Sequence, residues 1–175
     1  MTAKLDVLRV LIVDDNAHML QIVKTILRGF GIKQFYEARS VNEAFETIRN
    51  EPVDFVVVDY LLDNETGLDL VTRVRTSDEA PNPYLPIVML SAYAERTRVE
   101  EARDHGVTEF CVKPVTANEL FRKVANVIDH PRPFVRTKEF FGPDRRRKKT
   151  APYNGPARRE DDEGDGENLT GGEAA

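Results

Sequence analysis

The sequence predicts an α/β fold: one five-stranded parallel sheet, doubly wound by helices in a (βα)5 order, with a flexible C-terminal arm behind it. Three observations lead there. β-Branched apolar runs end abruptly at polar residues, stretches of helical spacing separate them, and the two kinds of segment alternate along the first 130 residues. Strict alternation requires right-handed crossovers, which place helices on both faces and bring the C-terminal ends of the strands to one edge, where ligands of such sheets bind.

Residues 7–13 form the first apolar run, bounded by Asp14 and Asp15, and read as a strand buried on both faces. Met19, Ile22, Val23, Ile26 and Leu27 then recur at helical spacing. A short strand over 36–38 leads to Ser40-x-x-Glu43, a capping box that opens a helix carrying Ala44, Phe45 and Ile48. The run 55–58 ends at Asp59, and 68–74 reads as a helix. The run 86–90 ends at Ser91 and is followed by a helix over 96–103. A last short strand, 110–112, ends at Lys113, and Thr116-x-x-Glu119 caps the final helix.

The chain has 175 residues, 25 basic and 30 acidic, for a formal net charge of -5. That length suits one ordinary domain plus an extension. One Cys excludes an internal disulfide framework, and three scattered His give no zinc spacing, so a reducing, cytoplasmic location is expected. No apolar run approaches the ~18 residues of a membrane span, and the N-terminus lacks a basic region followed by an apolar stretch, so neither insertion nor export is expected. The charge is zoned. Residues 1–131 carry 15 basic and 21 acidic side chains, 132–159 carry 10 and 2, and 160–175 carry 0 and 7. The last two zones are too polar to offset chain entropy by burial, which sets a boundary near residue 130. The expected organisation is one folded domain over 1–130, an arginine-rich arm over 131–159 and an acidic disordered tail over 160–175.

Under this architecture Asp14, Asp15, Asp59, Ser91 and Lys113 meet at one edge of the sheet. Three carboxylates held together repel one another, and a hard divalent cation such as Mg²⁺ relieves that repulsion. Such a cation would also screen Asp59 as a nucleophile toward a phosphoryl donor, with Lys113 and the Ser91 hydroxyl placed to bind phosphoryl oxygens. Read singly, Ser91 is undistinguished, Phe110 reads as ordinary core, and Cys111 as a small buried hydrophobe.

The set Asp14-Asp15, Asp59, Gly67, Ser91-Ala92 and Lys113-Pro114, in that order, resembles the receiver domain of bacterial response regulators over residues 7 to about 130. The resemblance implies that Asp59 is the phosphoacceptor and that a histidine kinase is the donor. It implies Mg²⁺ ligation by Asp15 and Asp59, with Asp14 acting through water and the Leu61 carbonyl completing the protein ligands. It also implies a cis peptide before Pro114 and a rotating switch aromatic at Phe110. Leu62-Asp63 departs from the Met-Pro that many receivers carry there.

No output domain or Gly-rich phosphate loop fits the remaining residues, so no enzyme with turnover is expected. Single-domain receivers of the chemotaxis (CheY-like) type dock on targets such as the flagellar motor switch through the fourth and fifth helices and the strand between. The arm interleaves aromatics, arginines and an acid, a mixture suited to guanine nucleotides: Arg offers a planar fork, an aromatic face stacks, and Asp accepts from ring nitrogens. It resembles the arginine-rich extension of CheY-like cyclic-di-GMP effectors. The residues expected to bind are Arg145, Arg146, Arg147 and Asp144, with Phe140 or Phe141 beside them and Arg136 reaching a second base or a phosphate. Tyr153, Arg158 and Arg159 form a second cluster. Two other readings stand: a solubilising tail whose acidic end folds back on the basic run, and a nucleic-acid contact, which the seven terminal acids oppose. A phosphorylation-controlled regulator with an incidental tail is the alternative function.

Overall fold

Burial on both faces with a period of two accounts for the sheet. In β1 (Arg9–Val13), Leu11 and Val13 face one apolar layer while Val10 and Ile12 face the other. The same alternation divides β3 (Phe55–Asp59), with Val56 and Val58 against Phe55 and Val57. The computed structural model describes residues 5–144 and the backbone of 167–169. With β2 (Gln34–Ala38), β6 (Ile87–Ser91) and β7 (Glu109–Val112) these strands form one parallel sheet in the order β2-β1-β3-β6-β7. The register sets Val13 beside both Ala38 and Val58, and Asp59 beside Leu90.

Helices cover both faces. On one lie α2 (Val41–Asn50) and α3 (Gly67–Thr76), burying Phe45, Ile48, Leu70 and Val74, with Ala102 of α4 (Arg96–Asp104). On the other lie α1 (Ala17–Gly29) and α5 (Ala117–Asp129), burying Val23, Leu27, Leu120 and Val124. Both expected caps form, with Ser40 and Thr116 accepting from the Glu43 and Glu119 amides. Glu43, however, turns back to the Arg39 amide at 2.8 Å. A third box, Thr66 with Asp69, went unread because its acidic partner is Asp. Among the described residues no helix is long and apolar enough to cross a membrane.

Two local features differ from expectation. Residues Leu5–Val7 form a 3-10 turn that leaves Val7 57% exposed, so the first strand starts at Arg9. Between β3 and α3 the chain folds a miniature antiparallel hairpin, β4 (Leu61–Leu62) and β5 (Glu65–Thr66), turned by Asp63 at φ 44°.

The arm differs more. A boundary near residue 130 with a flexible arm beyond it was the expectation, yet β8 (Phe134–Arg136) and β9 (Phe141–Pro143) pair as a second antiparallel hairpin packed on the α/β domain. Phe134 is only 6% exposed. Its ring meets Tyr84 at 5.1 Å and Phe141 at 5.5 Å, both angled as aromatic rings prefer. Backbone also meets backbone: a Cβ on Gly142 would lie 2.8 Å from the Gly106 Cα. Average composition over 132–159 conceals this apolar cluster at its start. The backbone of β10 (Glu167–Leu169) lies antiparallel to β8.

Candidate functional site

At the C-terminal ends of β1 and β3, one carboxylate oxygen from each of Asp14, Asp15 and Asp59 lies within 4.8 Å of the others. The register explains the convergence, since β1 and β3 are neighbours and each runs out into its acidic residue. Lys113 follows β7 directly. Its Nζ lies 2.9 Å from Asp59 Oδ1 and 3.5 Å from Asp14 Oδ2. Ser91, fully buried, ends β6, and its Oγ accepts from the Tyr93 amide at 3.1 Å. The hydroxyl proton is thereby available to an oxygen arriving beside Asp59.

Each carboxylate is held by backbone. Asn16 N–H donates to Asp14 Oδ1 at 2.9 Å, Asp63 N–H to Asp15 Oδ2 at 3.1 Å, and Tyr60 N–H to Asp59 Oδ1 at 3.0 Å. Burial pushes the Asp14 and Asp59 carboxyls above the ordinary carboxylate range, while the Asn16 amide for Asp14 and Lys113 for Asp59 lead the opposing effects. Asp14 Oδ2 is buried with no hydrogen-bond partner. A buried carboxylate oxygen with no hydrogen bond, close to two further carboxylates, is what a hard cation satisfies, and the all-oxygen donor set fits Mg²⁺.

Gly67 has a steric reason: a Cβ there would lie 2.3 Å from the Asp59 carbonyl oxygen. Its absence lets α3 begin directly beside the end of β3. The Lys113–Pro114 peptide is cis, as the resemblance implied. Phe110 lies on β7, half-buried against the core layer containing Tyr60 and Met89. Leu61 is on β4 with its side chain 48% exposed. The departure at Leu62-Asp63 places the Asp63 amide on Asp15.

Two groups escaped the sequence reading. The Arg39 guanidinium donates to the Asp15 carbonyl at 2.7 and 3.2 Å. The Tyr60 hydroxyl donates to Glu101 at 2.8 Å and accepts from Arg98, tying the residue after Asp59 to α4. Neither has a local signal, because each pair is joined only by folding.

The arm residues collect at the other end of the sheet. The hairpin lies against Gly106, Thr108 and Tyr84, which precede β7 and β6. Arg136 stands with its guanidinium 4.5 Å from the Phe141 ring centroid, and the Asp144 amide donates to Pro133 at 2.7 Å. Phe140 touches the Gly142 position. Arg145, Arg146, Arg147, Tyr153, Arg158 and Arg159 lie outside the described residues.

A family model described as the response regulator receiver domain matches residues 10–125. The chain is 34% identical over 122 residues to the chemotaxis protein CheY-3 of Vibrio cholerae serotype O1, covering 70% of this chain and 92% of that protein. It is 34% identical over 122 residues to the chemotaxis protein CheY of Pseudomonas aeruginosa, covering 70% and 97%. Among solved structures, a response regulator from Chloroflexus aurantiacus superposes with a TM-score of 0.64 at 30% identity, covering 70% of this chain and 98% of that one. Vibrio cholerae CheY4 gives 0.63 at 26%, covering 69% and 98%.

Proposed function

Because the chain belongs to the response regulator receiver family, with chemotaxis proteins among its relatives, we propose that it is a signalling receiver whose arginine-rich arm binds cyclic-di-GMP and whose receiver face docks on the flagellar motor switch. The organisation proposed is a receiver over 1–130, the arm over 131–159 and an acidic tail over 160–175, with the start of the arm folded onto the receiver. The observation that carries the receiver half is the position of Lys113 between Asp59 and Asp14, whose buried Oδ2 has this ion pair but no hydrogen bond. The arm half rests on its residue chemistry, with Arg136, Phe140, Phe141 and Asp144 gathered in one hairpin and Arg145 to Arg147 following directly.

In the phosphorylation step an Asp59 carboxylate oxygen attacks the phosphorus of a histidine kinase's phosphohistidine. The new O–P bond forms as the P–N bond breaks, and the imidazole nitrogen keeps the electron pair. Lys113 and the Ser91 hydroxyl receive the phosphoryl oxygens. Asp14, Asp15, Asp59 and the Leu61 carbonyl would hold Mg²⁺, which supplies neutralisation of charge developing on those oxygens. Phe110 is the proposed switch aromatic.

Calorimetry with cyclic-di-GMP tests the arm: the full chain binds, and a chain ending at residue 130 does not. Equal binding by both would sink the proposal. The alternative, control by phosphorylation with an incidental tail, is favoured by the completeness of the Asp14, Asp15, Asp59, Ser91 and Lys113 set. Asp59→Asn separates the two, abolishing response under the alternative and leaving nucleotide binding unchanged under the first reading.

A further inference from the structure

Between the hairpin turn and the loop after α3 lies an open groove of about 520 Å³, within the size range of small-molecule sites. Its walls come from both parts of the chain: Ser77 and Asp78 from the receiver, Arg136, Lys138 and Glu139 from the arm. The aromatic side chains of the arm are already engaged. Phe141 packs on Tyr84 and Phe134 and carries Arg136 on its ring, and Phe140 lies against Gly142. Arg136, an exposed residue whose guanidinium carbon lies 4.5 Å from the Phe141 ring centroid, offers a planar group to a base. Among the described side chains no carboxylate lies within 4.0 Å of the Arg136 or Lys138 nitrogens, and the backbone of Glu167 lies opposite Arg136 in the β8–β10 pair.

We infer that the nucleotide site is composite: one purine of the ligand stacks on Arg136 in this groove, Lys138 meets its phosphate, and Asp78 of the receiver accepts from the ring nitrogens. A planar guanidinium backed by an aromatic ring is a stacking platform that a lysine ammonium cannot reproduce. Asp78 and Glu139 beside it favour a base that donates through two adjacent nitrogens, as guanine does, and disfavour a continuous phosphate backbone. This rests on the reading of the arm as a cyclic-di-GMP site and makes the receiver part of it.

The test is calorimetry on the full chain with cyclic-di-GMP, with inorganic phosphate and a short RNA as controls, for wild type, Arg136→Lys and Asp78→Asn. Thermal melting verifies the fold of each variant, and Lys138→Ala, on the exposed turn, serves if either melts early. Arg136→Lys is expected to weaken binding by roughly tenfold or more while preserving charge, and Asp78→Asn by several-fold. Wild-type binding that survives both substitutions within about twofold overturns the composite site and leaves the arm reading intact. No binding by wild type overturns both, and a response to RNA alone replaces them with a nucleic-acid contact.

Discussion

The buried guanidinium of Arg75 lies 5.1 Å from the ring centroid of Phe134 and donates to the Gly106 carbonyl at 3.0 and 3.2 Å and to the Pro83 carbonyl at 2.8 Å. Burial pulls Arg75 down to about 9, still charged at neutral pH. One side chain thus joins α3, the turn before β7, the loop before β6 and the arm. Phe134→Ala removes the ring that covers this cation and should cost about 3–5 kcal/mol in urea unfolding. A chain ending at residue 130 should lose at least as much; unchanged stability in both would show that the hairpin does not support the receiver.

Adding a Cβ at Gly67 forces it against the Asp59 carbonyl at 2.3 Å, a backbone atom that cannot yield without moving β3 or α3. Gly67→Ala is expected to destabilise by about 2–4 kcal/mol. It should also slow phosphorylation by acetyl phosphate, followed by the mobility of the phosphorylated form on a phosphate-affinity gel. Wild-type melting in this variant would contradict the packing described.

The Asp14 and Asp59 carboxyls sit above their ordinary value of 3.8, so the folded chain holds these protons more tightly than the unfolded one. Their contribution favours the fold below that value and is lost as pH rises through the elevated folded values. Mg²⁺ held by Asp14, Asp15 and Asp59 would favour the ionised site and offset that disadvantage. The rise in melting temperature caused by Mg²⁺ should therefore be larger at pH 7 than at pH 5, read by scanning calorimetry. Asp14→Asn should shrink it at pH 7. An equal rise at both pH values would mean that the cation binds elsewhere.

Burial pushes the Cys111 thiol up to about 11, and the side chain is fully enclosed. It should resist a thiol-reactive dye at pH 8 in the folded chain and react on unfolding in urea, since the thiolate is the nucleophile. Rapid reaction in the folded chain would show that β7 opens locally.

The pattern aromatic-x-Gly-Pro-x-Arg-Arg spans 140–146 and recurs at 153–159, 13 residues on. Cyclic-di-GMP has two identical halves. Under the proposed cyclic-di-GMP function, Arg158→Ala with Arg159→Ala is expected to lower either the measured stoichiometry by about half or the affinity by roughly tenfold. If calorimetry detects neither change, the second copy takes no part.

Most of the receiver was legible because its signals are local or periodic: apolar runs ending at Asp14, Asp59 and Ser91, and caps at Ser40 and Thr116. The site followed from topology, since a parallel sheet brings strand ends to one edge. What escaped depends on contacts across the chain. Nothing near Arg75 in sequence indicates that Phe134 will cover it, and Arg39 meets the Asp15 carbonyl only because β2 lies beside β1. The folded start of the arm was hidden by averaging, since Phe134 and Phe141 share their zone with a long basic run.

β7 is held at both ends by different parts of the chain. Thr108, just before it, accepts from Arg132 through its carbonyl at 3.1 Å, and Lys113, just after it, grips Asp59. Four residues separate an arm contact from the lysine that pairs with Asp59. If a nucleotide on the arm changes how readily Lys113 serves Asp59, reciprocity requires an acyl phosphate on Asp59 to change nucleotide affinity by the same factor. Two chemically unrelated signals would then be summed on one strand, and the order of their arrival would not affect the final state.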